Sequence, residues 1–499
     1  QSAAHQTYMT SDAGLSSNAE NISISDLNAS VTDYSVKYDL SALNALDSLN
    51  GIQVISRLHT LGLSRSDLMN PEANMTSLNT NIQSALSGLP TQTVQYTGTD
   101  VDDLNQFLQN NTGKIVQLTQ DIQVYKNTNG SFGIIMVPSD TILDGNGHRL
   151  VMKAGYTEAP DVGVVLYVYK DGVIPSTNCG VKNLSTDIPY VNSINVFSAD
   201  NILIENNTLN NATKSGIMIS DEYGSTVNGI IRGNTINNVG DDAIAVYGNH
   251  SNLLIDSNRI SGAKGFAGIA ISCLQNGQQI RVDNETTGPH DIIVTGNVIS
   301  GCSGEALYCI GSYKTYITYN TLRDSILEGV CLDSGCIGNY FAHNEVVNNG
   351  IAGGLPGVSI DNGIYNIVDS NNIYNNSCSG IKLVRTGLGN IIVNNICTDN
   401  AYNQMGAKSS GIDIEPLAVE TENLGYIDGL GSNWNVVLNN TVTGSHDFGV
   451  FIADDDTANN GGSSCENVIM YNKFSSAYTF GAADFSSMSS TVKNNITLN

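Results

Sequence analysis

The sequence predicts an all-β solenoid, a right-handed parallel β-helix, from three observations. First, an Asn followed two residues later by an apolar residue recurs at positions 207, 234, 258, 297, 320, 344, 371, 394, 440, 472 and 494. Most steps between these Asn fall near 23 to 27 residues and a few are longer, so one unit repeats and some copies carry insertions. Second, a phrase of Gly or Ala, then apolar, any, apolar, any, follows most of these Asn by nine residues. GIMIS at 216, AIAVY at 243, GVCLD at 329, GIKLV at 380 and GVFIA at 449 are examples. Alternation with period two marks a strand with one buried face. Third, Asn, Gly and Ser clusters punctuate these phrases and no helical period intervenes. Each period is then one coil, and coils stack so that equivalent strands pair about 4.8 Å apart. The repeated Asn is expected to form an internal amide ladder that satisfies turn backbone groups.

In chain order, residues 1–112 read as a helical or extended region. The stretches NGIQVISRLHTLGL, MTSLNTNIQSALSGL and DVDDLNQFLQN have helical spacing, and Asp100 stands as a cap before an acidic first turn. The last of the three is expected to cover the open end of the stack, which would otherwise expose sheet edges. The solenoid is expected over 113–499.

Composition narrows the function classes. The 499 residues carry 21 Lys and Arg against 47 Asp and Glu, a formal net charge of −26. Nucleic acid is not an expected partner, because neutralising phosphates needs clustered cations. The 14% of charged residues against 40% hydrophobic ones excludes a disordered acidic tail. No run of eighteen apolar residues exists for a membrane-spanning helix. The nine Cys show no zinc spacing and read as buried free thiols. The small polar residues after Gln1 and the low Lys content fit an exported chain, so the expected location is extracellular.

The chain resembles the pectin-lyase-like superfamily of carbohydrate-active β-helices over roughly 113–499. The resemblance rests on the repeat form and on the segment beginning KIVQLTQDIQVYKNTNGSFGIIMVPSDTILDGNGHRLVM, whose TILDGNGH phrase looks like the first coils of such folds. It implies a carbohydrate substrate. The GDD at 240–242 resembles the paired Asp of polygalacturonases, but the N-T-D and G-H-G motifs of that family are missing, so it reads as structural.

Alternation also sets orientation. In each phrase the second and fourth residues point inward, and the first, third and fifth are expected to face solvent. The outward residues concentrate ionisable groups in successive coils: Asp333, Asp361, then Lys382 with Arg385 just past its strand, then Asp413 and Glu415, with Asp454 past the next strand. Like charges stacked at strand spacing destabilise a sheet and raise at least one pKa. A carboxylate pair of split pKa is what glycoside hydrolysis needs. Asp333 and Asp361 are therefore the expected catalytic pair. Lys382, Arg385, Asp413, Glu415, Asp454, Tyr308 and Tyr247 are the expected substrate-binding residues, and Phe451 is a further candidate for stacking on a sugar ring. Insertions before Asp361 (GIAGGLP) and Asp413 (AYNQMGAKSS), and after Ser272, Glu415 and Ala453, are expected to wall a cleft.

Three readings stay open. The leading one is a secreted glycoside hydrolase that needs no cofactor or metal. The second is a polysaccharide lyase or uronan C5-epimerase, with Lys382 as base and Asp333, Asp361 and Asp413 holding Ca²⁺. The third is a non-catalytic glycan-binding β-helix.

Overall fold

The computed structural model describes residues 43, 46, 53–126, 132–166, 168–169, 173–174, 176–275, 278–279, 288–403, 410–416, 431–455, 462–478, 480–488 and 490–498. Two compact units are present, one of residues 72–280 with 288–304, the other of 1–71 with 281–287 and 305–499. Both consist of short strands in three parallel sheets; in the second unit each sheet has seven strands among the described residues. The fold class is the predicted one, an all-β right-handed parallel β-helix.

One coil of the first unit shows how the repeat makes the structure. It contains the strands Ala199–Glu205, Thr208–Asn210 and Ile217–Ser220. Asn206 turns the corner between the first two at φ 55°, a left-handed conformation that Asn tolerates. Ile202, Ile204, Leu209, Ile217 and Ile219 are all buried. Four of the five stack on an aliphatic residue of the next coil, Ile204 on Ile231, Leu209 on Ile236, Ile217 on Ile244 and Ile219 on Val246, while Ile202 lies opposite Gly229. Burying one such side chain is worth roughly 1.5–3 kcal/mol, so repetition of the pattern drives the stack.

The amide ladder is present. Asn207 donates both its backbone N–H and its Nδ2 to Asn234 Oδ1 at 3.0 Å, and Asn234 does the same to Asn258. Nδ2 also donates to a carbonyl of the previous coil, as Asn234 does to Ile204. In the second unit the rungs are Asn320, Asn344, Asn371, Asn395, Asn440, Asn472 and Asn495. Two expected rungs are thus corrected by one residue. Asn394 and Asn494 are the left-handed corner residues, at φ 60° and 56°, and their neighbours are the rungs. At Asn394 the repeat misleads because Ile396 sits on the outer face, 49% exposed, while the buried position is filled by Cys397. Further ladders, unseen in the repeat, run Asn339–Asn366–Asn390–Asn435–Asn467 and Asn349–Asn376–Asn400. The latter ends on His446, whose Nε2 accepts from Asn400 N–H.

In the first unit the helix Val101–Asn110 buries Val101, Leu104 and Leu108, and Asp100 caps it by accepting from the N–H groups of Asp102 and Asp103. Asn105 meets the edge strand Ile135–Val137: its amide donates to Ile134 O and accepts from Met136 N, both at 2.8 Å. One side chain thus satisfies edge groups of the kind that an adjoining strand would pair. In the second unit the helix Gln53–Thr60 and its neighbours place Leu46, Ile55, Leu58 and Leu68 against Tyr313, Ile337, Ile364 and Leu388. All nine Cys are free and buried. No helix among the described residues is long and apolar enough to cross a membrane.

Candidate functional site

The site is built on one sheet of the second unit. Its strands Leu307–Ile310, Val330–Asp333, Val358–Asp361, Ile381–Val384, Ser410–Ile414 and Phe448–Ile452 pair in parallel. The inward residues (Leu307, Val330, Leu332, Val358, Ile360, Ile381, Leu383, Ile412, Ile414) are fully buried and lock the register. Two outward columns follow. One runs Tyr308, Cys331, Ser359, Lys382, Asp413, Phe451. The other carries Asp333 and Asp361, each directly after the paired Leu332 and Ile360, with Val384 next to Asp361. Adjacent positions in a column are about 4.8 Å apart.

Asp333 is held from three directions. Tyr308 donates its hydroxyl to Oδ2 at 2.7 Å, and Ser334 donates N–H and Oγ to Oδ1 at 2.6 and 3.2 Å. Asp361 differs. Oδ2 lies 3.0 Å from Arg385 Nη1, while Oδ1 is buried with no hydrogen-bond partner. Burial, then the charge of Asp333, push its carboxyl well above the usual range, and Arg385 opposes them without prevailing. The negative charge on the neighbouring strand thus adds to burial in favouring the protonated form of Asp361.

The next coils carry a second group. Lys382 Nζ pairs with Glu415 Oε2 at 3.1 Å. Burial works against the Lys382 charge, but Asp413 and Glu415 outweigh it and hold the ammonium above its ordinary range. Asp413 is wholly buried, and no hydrogen bond of ordinary geometry reaches either carboxylate oxygen. Burial, then Glu415, push its carboxyl well above the usual range.

The structure therefore brings Tyr308, Asp333, Asp361, Lys382, Arg385, Asp413 and Glu415 onto one strip. The strip is outward but less open than expected. Cys331, Ser359, Asp361 and Asp413 are all buried, because the long side chains of Tyr308, Arg385, Lys382 and Glu415 bond across the short ones. Asp413, at 0% exposure, therefore has no surface to offer a ligand here, whereas Asp361 keeps 8%. Phe451 is also buried, packed on Phe448 and Phe485, so it presents no free ring. Tyr247 belongs to the first unit, where its hydroxyl donates to the buried Asp242. Asp454 is exposed past the end of its strand. GIAGGLP lies within the described residues, whereas 404–409, 417–430 and 456–461, and 276–277 with 280–287, which carry most of the other expected walls, lie outside them.

Sequence reasoning missed Glu328. It stands just before the Gly of GVCLD and is only partly exposed. Burial pushes its carboxyl up to about 7, with Asp333 adding to the effect and Lys382 and Arg385 opposing it. The signal was available: Glu305 occupies the same place one coil earlier, giving EALYCI and EGVCLD in succession.

The model of the family described as the right handed beta helix region matches residues 176–287. No curated protein sequence matches significantly. Among solved structures, the A-module of a mannuronan C-5 epimerase from Azotobacter vinelandii is similar at 14% identity, covering 81% of this chain and 100% of that one, with a TM-score of 0.48. The catalytic domain of a GH87 alpha-1,3-glucanase in complex with nigerose is similar at 13% identity, covering 80% and 69%, with a TM-score of 0.47. A surface adhesin of Streptococcus pneumoniae is similar at 12% identity, covering 76% and 90%, with a TM-score of 0.45. The resemblance is one of fold. The expected right-handed parallel β-helix accords with the family match and with the three parallel sheets.

Proposed function

We propose that the chain is a glycoside hydrolase acting outside the cell on a carbohydrate, with Asp333 and Asp361 as its catalytic pair. One observation carries this reading: two carboxyls on adjacent strands have opposite surroundings. Asp333 accepts three hydrogen bonds, whereas burial raises Asp361 well above the usual range. Such a split assigns the roles of nucleophile and acid. Strand spacing of about 4.8 Å is near the roughly 5–5.5 Å of enzymes that retain anomeric configuration. Asp333 then attacks the anomeric carbon as the glycosidic C–O bond breaks, and the leaving oxygen takes the Asp361 proton. Water next attacks the glycosyl–Asp333 ester, gives a proton to Asp361 and frees Asp333. Tyr308 orients the nucleophile, while Lys382, Arg385 and Glu415 supply polar contacts for sugar hydroxyls.

The lyase or epimerase reading asks Lys382 to act as a base. Its ammonium is paired with Glu415 and held above its ordinary range, which opposes proton abstraction. Among the described residues no three His, Cys, Asp or Glu side chains converge as a metal site. The test is incubation with a panel of neutral and uronic polysaccharides, with and without chelator. Reducing ends that appear without an ultraviolet-absorbing unsaturated product, insensitive to chelator and absent from Asp333→Asn and Asp361→Asn, are expected. An unsaturated product, or full activity in both variants, would overturn the proposal.

A further inference from the structure

Arg57 comes from the helix Gln53–Thr60, far from the site in sequence, and is 1% exposed. Its guanidinium is directed at main-chain carbonyls. Nη1 donates to Gly335 O, Nη2 donates to Gly311 O at 2.6 Å, and the charge lies 5.7 Å from the centre of the Tyr313 ring. Gly311 follows the strand that carries Tyr308, and Gly335 follows Asp333 by two residues. Both glycines have positive φ, 65° and 73°. The two turns are also tied to each other and onward: Gly311 N donates to Ser334 O at 2.9 Å, Cys336 N to Asp333 O at 3.1 Å, and Gly335 N to Asn362 O at 3.1 Å. One planar fork thus spans the ends of two successive coils, the same two whose side chains meet in the Tyr308–Asp333 hydrogen bond.

The seat for this segment is shaped to it. A Cβ on Gly338, at φ 57°, would come within 2.5 Å of Leu68. A Cβ on Gly389, at φ 59°, would come within 2.6 Å of Leu46. The coils and the N-terminal segment therefore approach so closely that a side chain at either glycine would force the facing leucine to shift.

We propose that Arg57 is a positioning residue for Asp333, clamping the turn at 334–336 whose Ser334 N–H and Oγ hold the Asp333 carboxylate. This inference rests on the reading of Asp333 as the nucleophile. The N-terminal segment then supplies part of the active-site geometry without touching substrate.

The test uses the full chain and the variants Arg57→Met, Arg57→Lys and Ile55→Ala, followed by amide hydrogen exchange and by kinetics on whichever polysaccharide the wild-type protein cleaves. Losing a buried charged hydrogen bond corresponds to at least about a tenfold change in the opening equilibrium, so amides 334–336 should exchange about tenfold faster or more in Arg57→Met. Its kcat should fall by a similar factor with KM little changed. Arg57→Lys keeps the charge but cannot span both carbonyls, and should fall between. Ile55→Ala loosens the same packing without touching the carbonyls, so it should lower Tm and leave both exchange at 334–336 and kcat as they were. Unchanged exchange in Arg57→Met, or equal effects in Arg57→Met and Ile55→Ala, overturns the proposal. If Arg57→Met does not fold, Arg57→Lys against Ile55→Ala decides it. A wild-type protein that cleaves no polysaccharide would sink the hydrolase reading alone, since exchange reads the clamp without substrate.

Discussion

Each unit carries a sheet of short parallel strands with alike inward residues, but the outward faces are very different. In the first unit the outward columns read Met218, Ala245, Ala270 and Ser220, Tyr247, Ser272. In the second, the corresponding strands offer Tyr308, Cys331, Ser359, Lys382, Asp413 and the acids Asp333 and Asp361. Inward residues are alike: Ile217, Ile244 and Ile269 in one, Val330, Val358 and Ile381 in the other. The stack is thus a scaffold indifferent to what its outer face carries, and the proposed chemistry would reside in those few outward positions. The first unit has a buried acid too, and burial pushes Asp242 up to about 7. Asp242, however, accepts from Ala267 N at 2.8 Å and from the Tyr247 hydroxyl, so both oxygens serve the fold.

The sharpest way to break this contrast is to neutralise one acid in the charged strip. Asp333→Asn and Asp361→Asn should each lower turnover by about 10³-fold, within the range of positioned acid–base groups, without altering the circular dichroism spectrum. Met218→Ala, on the uncharged strip, should leave turnover within error. Equal losses on both strips would remove the distinction.

The next largest effect should be the same in both units, because the ladder is common to both. Asn371→Ala removes the acceptor for Asn344 N–H and Nδ2 and the donor to Phe341 O. Asn234→Ala does the equivalent to Asn207 and Ile204. With buried groups left unpaired, each should cost about 3 kcal/mol in denaturant unfolding. A cost near zero in either would mean that water replaces the rung.

What the sequence disclosed follows this division. Inward positions are constrained twice, by apolar alternation and by stacking on the like residue above, so Ile217 or Leu332 can be placed by reading alone. The site columns were legible for the same reason: once Leu332 and Ile360 are inward and paired, Asp333 and Asp361 must be neighbours. Exposure was not legible. Nothing in the spacing says that Tyr308 and Arg385 lean across the strip, or that Phe451 is covered by Phe448 and Phe485. Arg57 was invisible because its partners are carbonyls, which carry no side-chain signature.

Two histidines extend the comparison to pH. His250 in the first unit accepts from Thr226 N–H on Nδ1 and faces Tyr247 O with Nε2; His446 in the second accepts from Asn400 N–H on Nε2. Each must be neutral on its accepting nitrogen, and burial lowers both to about 4. A base with a depressed folded pKa is stabilising only while it stays neutral in the unfolded chain. Stability is therefore lost as pH falls from about 6.5 towards 4, roughly 2 kcal/mol per histidine by pH 5. His250→Gln and His446→Gln should each flatten the acid side of the profile of unfolding free energy against pH, and a profile with the wild-type slope would show that the ring is not buried neutral.

The smallest expected effect on turnover concerns Glu328, and the sign of its pH dependence is opposite. Here the folded pKa of about 7 lies above the unfolded value, so the folded state binds the proton more tightly. Stability from this group is present at low pH and is lost as pH rises from about 4.3 to 7. Glu328→Gln keeps the shape and cannot ionise, so it should unfold less readily than wild type at pH 8 and no less readily at pH 4. Beside Asp333 the same proton also tempers the negative charge of the strip, so wild-type turnover should decline as pH passes about 7. In Glu328→Gln that decline should move to higher pH, with kcat at neutral pH within about tenfold of wild type, less than the loss expected for a direct acid–base group. A pH–rate profile superimposable on that of the wild type would place Glu328 with Asp242, as a buried acid that serves the fold.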